Sequence, residues 1–557
     1  MGREASLGEE SGTTEAKEMV NSPNNIEAWE NEADGPLLTR KELWAWYMYA
    51  MATEPYNTCV AALFMPNSLA LSAAMQGYEL DHVTPCNYDV ANYSCVIKWG
   101  GNWVNTSSYA LFIQTIASLI QAVLYIGLGA LADHSKNRKR FLFFFAFLGS
   151  IPCILMVACR TYKLLWLSSI FYALGSIGYG CSYVFYYAYI PIYARSHPRL
   201  IRSMLSRRVG YEIDDIPDSV KSTKLIKGKD IQKDKSLEPP YIHQILSNHI
   251  SAFCTITSNG AAVIVLAISL VIIAFVTFDS LYAMYIGTCL VGVWWFVFSI
   301  WPLFTIKDRP GKPLPPGTNV ITLSFKRTWS TLLRVREHPE MFKFLVAWFA
   351  LADGSTTIIN VSSLYAQNIL NIDEIHLGIA IIIAPITTFI GAFLFLWIQK
   401  RFKISTYRML VINCCFFIVL CVYIFIGYFT PAFGLRHSAE LYPLVAYYGL
   451  VNGGLISLSR ALFVDFCPQG RETEFFSIFE LTDKGSSWVG PLVSAGISSG
   501  THSVRYAYAW CIATIIVGTI ILFFVNHEKG KEDVKKFANS EQNSNAFKTH
   551  DSESAEM

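Results

Sequence analysis

The sequence predicts an all-α integral membrane protein with twelve transmembrane helices in two six-helix pseudo-repeats. Across 557 residues the chain is 53% hydrophobic and only 15% charged, with a mean hydropathy of +0.35. That balance makes the bilayer its solvent. Twelve segments have the roughly twenty apolar residues needed to cross about 30 Å of hydrocarbon. Basic residues crowd the connections on one side of those segments and are scarce on the other.

In chain order the first six segments run approximately from Trp44 to Ser72, Ser107 to Ala132, Phe141 to Cys159, Leu164 to Tyr193, Ile250 to Phe278 and Leu281 to Ile306. The second six run from Met341 to Leu370, Leu377 to Gln399, Met409 to Phe429, Leu441 to Phe466, Phe475 to Ser499 and Tyr506 to Asn526. If the amino terminus is cytosolic, the outer connections hold only Lys98, Arg160, Lys163, Arg436 and Arg505. The positive-inside rule then places both termini in the cytosol.

The first outer connection, 73–106, supports that orientation. It holds the sequons Asn92-Tyr-Ser94 and Asn105-Thr-Ser107, which are glycosylated only on the lumenal side. It also holds Cys86 and Cys95, suited to a disulfide in an oxidising lumen, whereas the other eleven cysteines lie in or beside apolar segments.

Residues 1–43 are polar and acidic and read as a disordered cytosolic arm without a cleavable signal peptide. Near its end, Asp34-Gly-Pro-Leu37-Leu38 approximates an acidic dileucine sorting signal with the acid one place off the usual spacing. Two long basic inner connections, 194–249 and 307–340, read as regulatory or linker segments, and 527–557 reads as a disordered cytosolic tail.

Between the second and third segments stands Gly129-Ala-Leu-Ala-Asp133-His-Ser-Lys136-Asn-Arg138-Lys139-Arg140. Glycine permits close helix approach, Asp133 can cap or pair, and Arg138, Lys139 and Arg140 suit a membrane surface. This hinge resembles the loop between helices two and three of the major facilitator superfamily. Trp397-Ile-Gln-Lys400-Arg401-Phe-Lys403 repeats it degenerately in the second half, as parallel repeats would.

Longer strings carry a narrower resemblance. They are Trp46-Tyr-Met-Tyr49-Ala-Met-Ala-Thr-Glu54-Pro55, the lumenal Pro85-Cys86 through Cys95-Val96, and Pro468-Gln-Gly470-Arg-Glu472-Thr-Glu474-Phe475-Phe476 continuing to Asp483-Lys484-Gly485 and Gly490-Pro491. With these the chain resembles the fungal autophagy-related protein twenty-two family of vacuolar amino-acid effluxers, a branch of the major facilitator superfamily. The resemblance implies the major facilitator fold, a vacuolar membrane location and export of amino acids after autophagic breakdown. It also implies a monomer.

Charges inside the membrane cost about 2.5–3.5 kcal/mol each on insertion scales, which makes them functional candidates. Here they are Glu54 in the first segment, Asp353 in the seventh, Arg460 in the tenth, and Glu480, Asp483 and Lys484 in the eleventh. A zwitterionic amino acid needs an anion and a cation, which Glu54 or Asp353 and Lys484 could supply. Glu480, three and four residues before Asp483 and Lys484, shares a helical face with them, and a Glu480–Lys484 ion pair is expected. A helix-packing role for this triad stays open.

Pro55 breaks the backbone ladder after Glu54 and exposes carbonyls to a substrate amine, with Asn57 and Thr58 one turn on. Asn360 in the seventh segment and Asn452 in the tenth mark further polar spots, while the nearby glycines suit packing. A carboxyl such as Glu54 or Asp353 could also carry a proton out of an acidic lumen.

Other classes have weaker support. The sequence holds no Walker motif, no metal-ligand array and no catalytic cluster, so neither an enzyme nor a cofactor is expected. A net charge of +2, with most charges in loops and tails, gives no basis for nucleic-acid binding. A facilitator of another small solute, or a non-transporting scaffold using the basic loops, stays compatible with the residues.

Overall fold

A computed structural model describes residues 35–88, 95–133, 137–209, 239–275, 280–309, 326, 331, 338–368, 370, 374–430, 432–486, 489–501 and 504–537. Helices stand in every predicted segment. The first half contains α1 (Arg40–Pro55), a π-helical stretch (Tyr56–Phe64), α2 (Met65–Ala74), α3 (Thr106–Ala132), α4 (Asn137–Leu155), α5 (Leu165–Tyr187), α6 (Tyr189–Arg195), α7 (Pro198–Val209), α8 (Pro239–Phe275) and α9 (Ser280–Thr305). The second half contains α10 (Pro339–Asn368), α11 (Glu374–Phe402), α12 (Thr406–Ile426), α13 (Leu441–Phe463), α14 (Glu472–Ser486), α15 (Val489–Thr501) and α16 (Tyr508–Phe523).

Among the described residues, 10 helices are long and apolar enough to cross a membrane. The first and eleventh predicted segments are not among these 10. Thr39 caps α1 by accepting the Glu42 amide at 3.3 Å, and the helix runs regularly to Pro55. Lacking an N–H, Pro55 cannot bond the carbonyl four residues earlier. That carbonyl, on Met51, instead accepts the Trp294 indole N–H of α9 at 2.9 Å, so it is not open to a substrate amine as the sequence suggests. Past the proline the helix widens into the π form over Tyr56–Phe64 before resuming as α2. The eleventh segment contains α14 and α15, and residues 487–488 lie outside the described residues.

Lipid tails are as apolar as leucine, so close packing and hydrogen bonds must hold such helices together. Trp46 of α1 lies flat on Tyr186 of α5, ring centroids 4.3 Å apart. Each ring donates to the other's backbone, Trp46 Nε1 to the Tyr186 carbonyl at 3.2 Å and Tyr186 Oη to the Trp46 carbonyl at 3.1 Å. Between the halves, α8 packs on α11 and α13, while α3 and α5 pack on α14.

At one end of the bundle, β1 (Val96–Trp99) and β2 (Asn102–Asn105) form a hairpin. Its two-residue turn places Gly100 and Gly101 at φ 58° and 91°, the left-handed geometry that suits the strand twist. Cys86 and Cys95 are joined in a disulfide with Cα atoms 5.7 Å apart. Asn105 is exposed on β2, and Asn92 lies outside the described residues.

The opposite end carries the basic connections. Two expectations fail there. Leu37 and Leu38 are buried, and the Leu38 amide donates to the Ser196 carbonyl at 3.0 Å, so the dileucine pair cannot be read by a sorting partner in this state. The tail expected to be disordered from 527 begins with a helix, α17 (527–537), capped where Asn526 Oδ1 accepts the Lys529 amide at 3.1 Å. His527 of α17 meets Asp465 Oδ2 at 2.8 Å, and His243 at the start of α8 meets Asp465 Oδ1 at 3.5 Å. The remainder of the acidic arm, of the two basic connections and of the tail lies largely outside the described residues.

Candidate functional site

Two clusters lie where the halves meet, one at the basic end and one nearer mid-helix, with Arg460 in the last turn of α13. At the basic end, Asp133 closes α3 and receives the first amides of α14, Thr473 N on Oδ1 and Glu474 N on Oδ2, both at 2.9 Å. A helix start offers unpaired N–H groups and a positive dipole end, which suit a carboxylate. Arg138 binds Asp133 at 2.6 Å and Glu472 at 3.1 Å, and its Nε donates to Thr473 Oγ1 at 2.9 Å. Arg195 of α6 pairs with the other Glu472 oxygen, which also accepts the Gly470 amide at 3.0 Å.

Asp133, Arg138 and Glu472 are each over nine-tenths buried. Burial alone would push the Glu472 carboxyl up, but Arg195, Arg138 and the Gly470 amide outweigh it and hold the group below the usual carboxylate range. Gly129 permits this approach, since a Cβ there would collide with the Ser477 side chain. Lys139 reaches Asp308 at 3.9 Å, and Arg140 is exposed. The hinge is therefore joined to α14 of the other half by a buried ionic cluster.

The mid-helix cluster gathers some of the predicted charges and separates others. Glu54 of α1 is half-exposed. Its Oε2 accepts from Tyr183 Oη at 2.7 Å and from Tyr179 Oη at 3.5 Å, and its Oε1 from Asn57 Nδ2 at 3.3 Å. Thr58 is half-exposed on the same π-helical stretch. Arg460 of α13 is buried; Nε donates to the Ile456 carbonyl at 3.0 Å and Nη2 to Thr255 Oγ1 of α8 at 2.9 Å. Its guanidinium lies 4.6 Å above the Tyr187 ring. Tyr187 in turn meets Tyr183 edge-on at 4.9 Å. An unbroken set of rings thus connects Glu54 on the first half with Arg460 on the second.

Glu480 is buried on α14, within Coulombic reach of Arg460, Asp483 and Lys484. Lys484 does not pair with Glu480 as expected. It meets its neighbour Asp483 at 3.3 Å, both side chains partly exposed. Asp353 stands apart from the cluster and ties the second half together, Oδ1 accepting the Gly490 amide at 2.7 Å and Oδ2 the Trp510 indole at 2.9 Å. Asn360 is exposed on α10, and Asn452 is half-buried with its Oδ1 enclosed and unbonded.

The sequence did not single out Glu472, Arg195 or Thr255 for any role. Glu472 could have been found from the Gly470-Arg-Glu472 string, which lies at the depth of the hinge in the opposite half.

Comparison with known proteins agrees with this architecture. Solved structures of similar fold include a bacterial homologue of the iron transporter ferroportin in an outward-facing state, with TM-score 0.51 and 11% identity, covering 87% of this chain and 98% of that one. The major facilitator superfamily proton:xylose symporter aligns with TM-score 0.56 and 13% identity, covering 89% and 98%. The fold is thus that of major facilitator transporters. Autophagy-related protein 22-1 of Aspergillus niger is 28% identical over 89% of this chain and 90% of its own length. Autophagy-related protein 22 of Coccidioides immitis is 28% identical over 90% and 89%. The family model described as Vacuole effluxer Atg22 like matches residues 38–535, and the chain, a multi-pass membrane transporter, belongs to that family.

Proposed function

We propose that this protein exports amino acids released by autophagic protein degradation from the vacuole lumen to the cytosol, by alternating access. The observation that carries the reading is the mid-helix cluster, where buried charges of both signs face the boundary between halves. Such charges are costly in a bilayer and are suited to a zwitterionic solute. Membership of the vacuole effluxer family supports the vacuolar setting.

In this reading the basic end is cytosolic, as the positive-inside rule requires, and the disulfide-bonded hairpin is lumenal. The lock of Asp133, Arg138, Arg195 and Glu472 is then the cytosolic gate, closed while the site takes solute from the lumen. Glu54 is the proton carrier that couples export to the acidic lumen. It is preferred over Asp353 because Glu54 is half-exposed, whereas Asp353 is buried. The protein works as a monomer of two six-helix halves.

The test is flux of a labelled neutral amino-acid mixture in proteoliposomes, with and without an acidic interior, for the wild type and Glu54→Gln. A robust wild-type flux that responds to the gradient and is lost in the variant supports the reading. Folded wild-type protein that moves no amino acid under any gradient overturns it. Loss of a glycan on Asn105→Gln checks the orientation.

A further inference from the structure

We propose that Arg460 and Glu54 are the two ends of a zwitterion clamp. Arg460 takes the substrate carboxylate, and Glu54 with Tyr183 takes the substrate ammonium. The inference rests on the amino-acid reading above and specifies the chemistry of that same site.

The argument begins with a charge imbalance. Among the described residues, no carboxylate lies within 4.0 Å of the Arg460 guanidinium and no cation within that distance of Glu54. Leaving a buried charge without a counter-charge is unfavourable unless something else completes the site. Arg460 has five N–H donors and spends two on the Ile456 carbonyl and Thr255 Oγ1. A further contact goes to the Cys254 thiol, and the N–H groups that remain suit a carboxylate, a planar partner of guanidinium.

Glu54 presents the complementary half. Tyr183 and Asn57 donate to its oxygens and fix the carboxylate's orientation while leaving lone pairs for a substrate N–H. Tyr183 and Tyr187 stand in line between the two ends, Tyr183 bonded to Glu54 and edge-on to Tyr187, whose ring the Arg460 guanidinium covers.

The other predicted charges are already engaged. Lys484 is paired with Asp483 and partly exposed, so it is a poor carboxylate anchor. Asp353 is buried away from the cluster, bonded to Gly490 and Trp510 of its own half. Glu480 adds negative potential beside Arg460 from the same half and is no substitute for Glu54 across the boundary.

The clamp has a mechanistic consequence. Glu54 belongs to the first half and Arg460 to the second, so a bound zwitterion ties the halves together at mid-helix. A solute with one charge engages one half only.

The experiment titrates binding of alanine, alaninamide and propanoate to purified wild type, Arg460→Gln, Arg460→Lys, Thr255→Val and Glu54→Gln. Alaninamide lacks the carboxylate and propanoate lacks the ammonium. Wild type is expected to prefer alanine over either analogue. Arg460→Gln should weaken alanine by about tenfold or more, the scale of a lost charge-assisted hydrogen bond, and leave alaninamide unchanged.

Arg460→Lys restores part of the preference, and Thr255→Val, which takes an acceptor from Arg460, erodes it. Glu54→Gln erases the preference over propanoate. A merely structural Arg460 would weaken alanine and alaninamide equally, and that result overturns the clamp. So does any other wild-type ranking of the three probes. If wild type carries amino acids yet ranks the probes otherwise, only the clamp falls; if it carries none, the functional reading falls with it.

Discussion

Arg138 and Glu472 meet at 3.1 Å across the boundary between the two halves, 334 residues apart in sequence. Removing one member of a buried ionic cluster costs about 3–5 kcal/mol, because the remaining charge loses its partner. Here that cost falls on the conformation closed at the basic end alone, since the halves separate there when it opens. Arg138→Gln should therefore shift the population toward the open form. A cysteine placed at Ser477, in a background lacking the exposed Cys415, should be protected from an impermeant maleimide in the wild type and labelled in Arg138→Gln. Equal labelling in both proteins would show that the cluster is not a gate.

Gly129 offers a steric test of the same contact. A Cβ at position 129 would strike Ser477 Oγ and Cβ, while the next neighbour, the Glu474 Cα, stands at an ordinary 3.4 Å. Gly129→Ala should impair closure and transport at normal expression. Adding Ser477→Gly removes the colliding atoms and should restore transport. A double variant no better than Gly129→Ala would place the requirement for glycine elsewhere.

Asp353 is expected to be structural. Its two oxygens bridge α10 to α15 and α16 through the Gly490 amide and the Trp510 indole. Asp353→Ala orphans both donors and should destabilise the fold by about 1–3 kcal/mol, read by thermal unfolding. The substrate KM should stay at the wild-type value. A raised KM with unchanged stability would instead return Asp353 to the substrate pathway.

Much of this architecture was legible in the sequence because apolar length and basic-loop asymmetry are properties of single segments. The hinge was legible as well, since Gly129 and Asp133 are neighbours in a motif. Partner choice was not. Lys484 can reach either Glu480 or Asp483 on one helical face, and only packing decides that it meets Asp483. That Pro55 frees backbone carbonyl groups was legible, but the capture of the Met51 carbonyl by Trp294 depends on how α9 lies against α1. Glu472 joins the hinge across 334 residues, a distance that local periodicity does not span.

His197 supplies a pH dependence outside the membrane segments. It is buried between α6 and α7, and its Nδ1 accepts the Arg199 amide at 3.2 Å, which only a neutral ring can do. Burial, reinforced by the Arg199 charge, lowers its pKa to about 3. The unfolded chain, with a histidine pKa near 6.5, binds the proton first as pH falls. Stability from the neutral ring is thus complete above about pH 6.5 and declines as pH drops toward 3, by at most about 1.4 kcal/mol per pH unit. His197→Asn keeps a capping side chain without the titration. Its unfolding temperature should fall less than that of the wild type between pH 7 and pH 5. Parallel declines would mean that His197 is not the group responsible.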